Sequence, residues 1–195
     1  LLASTYVDGT TTVDAKLKEM IFVIGEKLSI RRFAVVEGVT STYIHGLGSI
    51  GVIVKFDTDC ADKDGFAEFA KNIALQVGAY PTPYLDRDHV PASVLENEKA
   101  IIKTQLANDP KMANKPEAVL GKIVEGKIGK YYKENCLVEQ QFVMDGDITV
   151  GKYIENTAKA LGADVKLVSF VRFEKGEGIE KRVDDFAAEV AGMVK

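Results

Sequence analysis

Val52-Ile53-Val54-Lys55-Phe56 narrows the choice of fold more than any other stretch of this 195-residue chain. Its β-branched and aromatic side chains suit a pleated, half-buried surface. The run is too short for a helix of ordinary length and well matched to a buried strand. Gly46, Gly48 and Gly51 mark a turn immediately before it. A strand over 42–45 therefore returns within a few residues, which forces antiparallel pairing, because parallel neighbours need a crossover of about a dozen residues or more. Such a sheet needs a cover for its apolar face. Phe66, Phe69, Ala70, Ile73, Ala74 and Val77 recur at helical spacing and supply one, with Asp62-Lys63-Asp64 ahead of them as capping residues.

The rest of the chain follows from the same periodicities. Val13, Leu17, Met20, Ile21 and Ile24 predict a helix over 12–27 with Gly25 near its end, and Ile30, Arg31, Arg32 and Phe33 suggest a strand over 28–36. Pro81, Pro83 and Pro91 interrupt the pattern. Beyond them lie two helical stretches separated by 108–116, with Pro110 and Pro116. Val94, Leu95, Ile101, Ile102 and Leu106 line the first; Val119, Leu120, Ile123, Val124, Ile128 and Tyr131 line the second, so the two should zip together antiparallel. Gly121, Gly126 and Gly129 weaken the second arm by about 2–3 kcal/mol relative to alanine, which packing must offset. A helix over 149–161, a strand over 165–173 and a closing helix over 179–194 complete the reading. The fold class is α+β: an antiparallel β-sheet core packed with helices, with a protruding antiparallel helical (coiled-coil) hairpin.

Few residues invite chemistry. A formal net charge of -4 argues against a chain that coats nucleic acid, and no apolar run reaches the length of a membrane span. The first residues lack the basic start and apolar core of a signal peptide, so a cytoplasmic protein is expected. Cys60 and Cys136, with only His45 and His89 to assist them, are too few and too scattered for a metal cage, and each reads as a small buried apolar residue. No cofactor is called for. The spacing Gly46-x-Gly48-x-x-Gly51 imitates a dinucleotide fingerprint, yet it joins two strands and opens no helix on which a pyrophosphate could sit. A catalytic pair of His45 with Cys60 would have to act across the length of a strand. Arg31-Arg32 in an extended segment, His45 at a turn, and Tyr43, Ile44, Val143 and Met144 near sheet edges are instead the residue types that anchor interfaces. The residues describe a binding module and not an enzyme.

Several stretches then resemble one family, elongation factor Ts, the nucleotide-exchange factor for elongation factor Tu. They are Ile24-Gly25-Glu26-Lys27-Leu28-Ser29-Ile30-Arg31-Arg32-Phe33, Tyr43-Ile44-His45-Gly46, Lys122-Ile123-Val124-Glu125-Gly126-Lys127, Gln141-Phe142-Val143-Met144-Asp145 and Arg172-Phe173-Glu174-Lys175-Gly176. They occur in the family's order and span nearly the whole chain. The resemblance implies a partner, elongation factor Tu, no direct contact with nucleic acid or membrane, and exchange of GDP for GTP on that partner. It places Ile24, His45, Val143 and Met144 against the partner's carboxy-terminal domain, and Asp185, Phe186 and Glu189 of the closing helix against its nucleotide domain. It implies a remnant of the amino-terminal core lobe over 1–35, the carboxy-terminal core lobe over 36–90 and 136–195, and the helical hairpin over 91–135. The family's small amino-terminal helical domain and first core repeat have no counterpart here. The repeat's Thr-Asp-Phe-Val segment, which intrudes toward the partner's magnesium site, is imitated by Thr58-Asp59-Cys60 only in the second copy. The alternative is a partner-binding or dimerisation module without exchange activity, with the hairpin joining two copies as a homodimer.

Overall fold

A computed structural model describes residues 1–112 and 115–179. The chain divides into two compact units, Leu1–Val35 and Val36–Lys195. In the first, helix α1 (Val13–Ile24) begins where the Thr12 hydroxyl accepts the Ala15 N–H and ends where Gly25, with φ 78°, turns left-handed and returns its own N–H to the Ile21 carbonyl. Both ends thus satisfy backbone groups that the helix itself cannot. Asp14 pairs with Lys18 and Lys16 with Glu19 on the exposed surface of the helix. Ahead of the helix, Asp8 accepts the backbone N–H groups of Thr10 and Thr11, which hold its carboxyl down at about 2. No residue of α1 is buried.

The second unit is built on a three-stranded sheet. Strands β1 (Val39–His45) and β2 (Ile50–Thr58) form an antiparallel hairpin. Val52, Val54 and Phe56 point one way and are buried, while Ile53 and Lys55 on the other face are half-buried. Helix α2 (Phe66–Ala79) covers the buried face, and Phe56, Phe66 and Phe69 meet there with ring centroids 5.5–5.9 Å apart. Each such side chain removed from water contributes about 1.5–3 kcal/mol. The cap of α2 differs from the sequence expectation: Gly65, with φ 90°, stands at its start and no side chain bonds the first turn. Asp62 and Asp64 fall short because the left-handed residue is the only one that can reverse the chain there.

Helices α3 (Ala92–Ala107) and α4 (Glu117–Asn135) follow and meet in a small cluster of their own, Ile102 and Leu106 with Val124 and Ile128. The seam is thinner than the sequence suggested, since Ile101 and Val119 are exposed. At the base of the pair, Arg87 makes a forked ion pair with Glu139 and lies 4.6 Å over the Tyr132 ring. The chain then enters a short hairpin of β3 (Gln141–Phe142) and β4 (Asp145–Thr149), which sequence periodicity did not reveal. Helix α5 (Val150–Leu161), capped by the Thr149 hydroxyl and ended by Gly162 at φ 56°, leads into β5 (Val165–Glu174). β5 runs antiparallel to β2, giving the order β1-β2-β5. The α+β architecture is therefore as read from the sequence.

The strand expected over 28–36 is not formed; those residues lie outside any helix or strand. Propensity describes how a side chain fits a sheet, but a strand exists only once its backbone finds a ladder, and none of the described pairings reaches this segment. The helix expected over 179–194 lies outside the described residues.

Gly121, Gly126 and Gly129 have nothing within 4 Å of where a Cβ would stand. Packing does not demand them. Replacing Gly126 with alanine is expected to raise the unfolding free energy by about 0.5–1 kcal/mol, because it removes backbone freedom without a clash. Urea denaturation followed by helical circular dichroism measures this, and a loss of stability would show that α4 needs the bare backbone.

Candidate functional site

Two hairpin tips project from the second unit, and both are apolar. The β1–β2 connection is Gly46-Leu47-Gly48-Ser49, in which Leu47 takes φ 55°, a left-handed conformation that costs a residue with a Cβ about 1–2 kcal/mol. Its side chain is fully exposed. His45 and the exposed Ile44 precede it at the end of β1. The β3–β4 connection is Val143-Met144 itself: Phe142 pairs with Asp145, so those two residues form the entire loop. Met144 is 63% exposed and Val143 37%. Turns in water favour Asn, Asp and Gly. Leu47 and Met144, left largely in water at such tips, together with the partly covered Val143 offer an apolar surface to something else.

Both tips are tied to the last turn of α2. Gln76, completely buried, accepts the Val143 N–H on its Oε1 at 2.7 Å and donates its Nε2 to the Gln140 side chain and the Gln141 carbonyl, each at 3.2 Å. Gln140 in turn donates to the Thr82 hydroxyl at 2.9 Å and to the Glu134 carbonyl at 3.1 Å. This buried amide network is satisfied, which is the condition under which polar groups tolerate burial. Two residues further along α2, Gly78 lies against the Tyr43 ring: a Cβ there would come within 3.0 Å of Tyr43 Cδ1. The Tyr43 hydroxyl is 2.9 Å from His45 Nδ1 and orients the imidazole. The sequence reading named His45, Val143 and Met144 but missed Leu47 and Gln76. An apolar residue between two glycines, and a lone glutamine beside the apolar stripe of Ile73 and Val77, were the available signals.

The other named residues divide differently. Ile24, half exposed at the end of α1, belongs to the first unit. Asp185, Phe186 and Glu189 lie outside the described residues. His45 and Cys60 sit beyond opposite ends of β2, roughly 25 Å of extended chain apart, and Cys60 is buried, so no catalytic pair is assembled. Thr58 caps this far end, donating its hydroxyl to the Asp164 carbonyl at 2.7 Å. Among the described residues there is no group of three or more His, Cys, Asp or Glu placed to hold a metal, and no helix long and apolar enough to cross a membrane.

The sequence model of the family described as Elongation factor TS matches residues 1–177. The chain belongs to the elongation factor Ts family. Relatives named elongation factor Ts include those of Syntrophotalea carbinolica, 45% identical over 94% of this chain and 60% of the relative, and Clostridium kluyveri, 44% identical over 96% and 61%. That of Clostridium botulinum strain 657 is 47% identical over 97% of this chain and 62% of its own length. The chain thus spans about three fifths of the length of these curated relatives. Both hairpin tips, and the glutamine and glycine of α2 that hold them, fall inside the matched residues.

Cys60 and Cys136 are free and buried, and burial pushes the Cys136 thiol up to about 11. A thiol so far above neutrality carries little thiolate, and the thiolate is the reacting form. Neither cysteine is expected to react with Ellman's reagent in the folded protein at mildly alkaline pH, and both should react once guanidinium unfolds it. Rapid labelling without denaturant would contradict this packing.

Proposed function

We propose that these 195 residues bind elongation factor Tu through the two apolar hairpin tips, and that they promote exchange of GDP for GTP less strongly than a longer family member does. The match of 177 residues to the elongation factor Ts family carries the reading. The tips give it a physical surface, with Leu47, Val143 and Met144 as apolar anchors and His45 as the polar one. Ile24, and Asp185, Phe186 and Glu189 of the carboxy-terminal segment, are further proposed contacts. Cytoplasmic action without cofactor, nucleic acid or membrane belongs to the same proposal.

The mechanism needs no reactive group. A nucleotide held at nanomolar affinity corresponds to about -12 kcal/mol, and its spontaneous release is slow. A protein that prefers the nucleotide-free shape of the partner weakens that hold, and by linkage the nucleotide weakens the protein's hold by the same factor. A ten-thousand-fold weakening needs roughly 5.5 kcal/mol of differential binding. Burying Leu47 supplies about 1.5–3 kcal/mol, and Met144 and Val143, already partly covered, supply less, all before the costs of association. The chain spans about three fifths of its relatives' length, and the proposal of weaker exchange concerns these 195 residues alone.

Stopped-flow release of a fluorescent GDP analogue tests this, with the Clostridium botulinum relative as the reference. The expected result is measurable acceleration, smaller than the reference gives; no association with nucleotide-free elongation factor Tu would overturn the proposal. Leu47→Gly is the sharper probe. Relief of the left-handed residue is offset by greater freedom in the unfolded chain, so stability should stay within about 1 kcal/mol. Affinity should nevertheless fall roughly tenfold, equivalent to about 1.4 kcal/mol of lost burial, as calorimetric titration would show.

A further inference from the structure

We infer that Gln76 is a positioning residue for the Val143-Met144 tip, and that the last turn of α2 fixes the two partner-facing tips in one frame. The inference rests on the reading that those tips meet the partner. It starts from a backbone problem. Val143 lies in the two-residue loop beyond the last strand pair, Phe142 with Asp145, so its N–H has no ladder partner. Gln76 supplies the acceptor at 2.7 Å from within α2. Its amide has no freedom to turn away, since Nε2 is engaged by Gln140 and by the Gln141 carbonyl, one residue before β3 reaches Phe142. The same side chain therefore grips the tip at both Gln141 and Val143.

An apolar residue would serve packing alone better. Gln76 is fully buried beside Val77 and Ile73, and methionine there would extend the stripe without desolvating an amide. What the amide supplies at that point is two N–H donors and a separate acceptor oxygen, all three of which are used here. On the other flank of α2, about 200° away around the helix axis, the absence of a side chain at Gly78 admits the Tyr43 ring, and Tyr43 holds His45. The spacing between His45 and Met144 is thus set through one helical turn and not through two independent loops. Preorganised contacts of this kind lose less conformational entropy when a partner docks.

The test is a double-mutant cycle in the whole chain, with affinity for nucleotide-free elongation factor Tu read by calorimetry and stability by urea. Gln76→Met is expected to weaken binding roughly fivefold, and Met144→Ala roughly tenfold. The pair together should lose clearly less than the roughly fiftyfold product of the single losses, because part of what Gln76 positions is the Met144 contact already removed. Multiplied losses in the double variant, or Gln76→Met binding like the parent, would overturn the positioning role while leaving the partner reading intact. Unchanged affinity in both Val143→Ala and Met144→Ala would overturn the docking of this tip, and the positioning role with it. Amide exchange of the unaltered protein guards against misfolded variants: Val143 N–H should exchange as slowly as the interior of α2, and rapid exchange would refute the clamp.

Discussion

Phe56 of the central strand meets Phe66 and Phe69 of α2 at ring-centroid distances of 5.5 Å, and Phe69 continues to Tyr153 of α5 at 5.4 Å. This chain of aromatic contacts runs from the sheet through the covering helix to the layer behind it. Phe142 stacks on Tyr153 at 4.1 Å and brings the β3–β4 hairpin into the same block. Once α2 is seated on Val52, Val54 and Phe56, both of its flanks are committed, and everything that touches them inherits its position. Packing at interior density leaves no room for α2 to rotate without breaking several contacts together.

Much of this was legible because the sequence keeps strict periods wherever one face is buried. The alternation in β2, the stripe of α2, Thr12 and Gly25 around α1, and Thr149 and Gly162 around α5 are local signals that the folded chain obeys. Segment 28–36 misled for a specific reason: Ile30 and Phe33 suit a sheet, but pairing is a property of two segments and cannot be read from one. The β3–β4 hairpin was invisible for the opposite reason. Its strands are two and five residues long, and its turn carries Val and Met where turn chemistry favours polar residues. Gln76 escaped because a single polar residue beside an apolar stripe reads as the helix's wet edge until its neighbours are known.

Those departures from local rule gather at one place. An apolar tip, a left-handed leucine and a buried amide each cost the isolated chain something, and they converge on the two ends of the surface proposed for the partner. Positions where a sequence disobeys its own pattern are where function is usually sought. Elsewhere in the second unit the alternation of β2 and the apolar stripe of α2 agree with the core they form.

The separation of the α3–α4 cluster from the main core has a thermal meaning. Among the described residues, Ile102, Leu106, Val124 and Ile128 share no buried neighbour with the aromatic block. Cooperativity is transmitted by shared neighbours, so heat should open the helix pair as a subglobal event well below the temperature at which the sheet gives way. Over that interval the molecule would be half melted yet still present an intact docking face, and a calorimeter would record a shoulder ahead of the main peak.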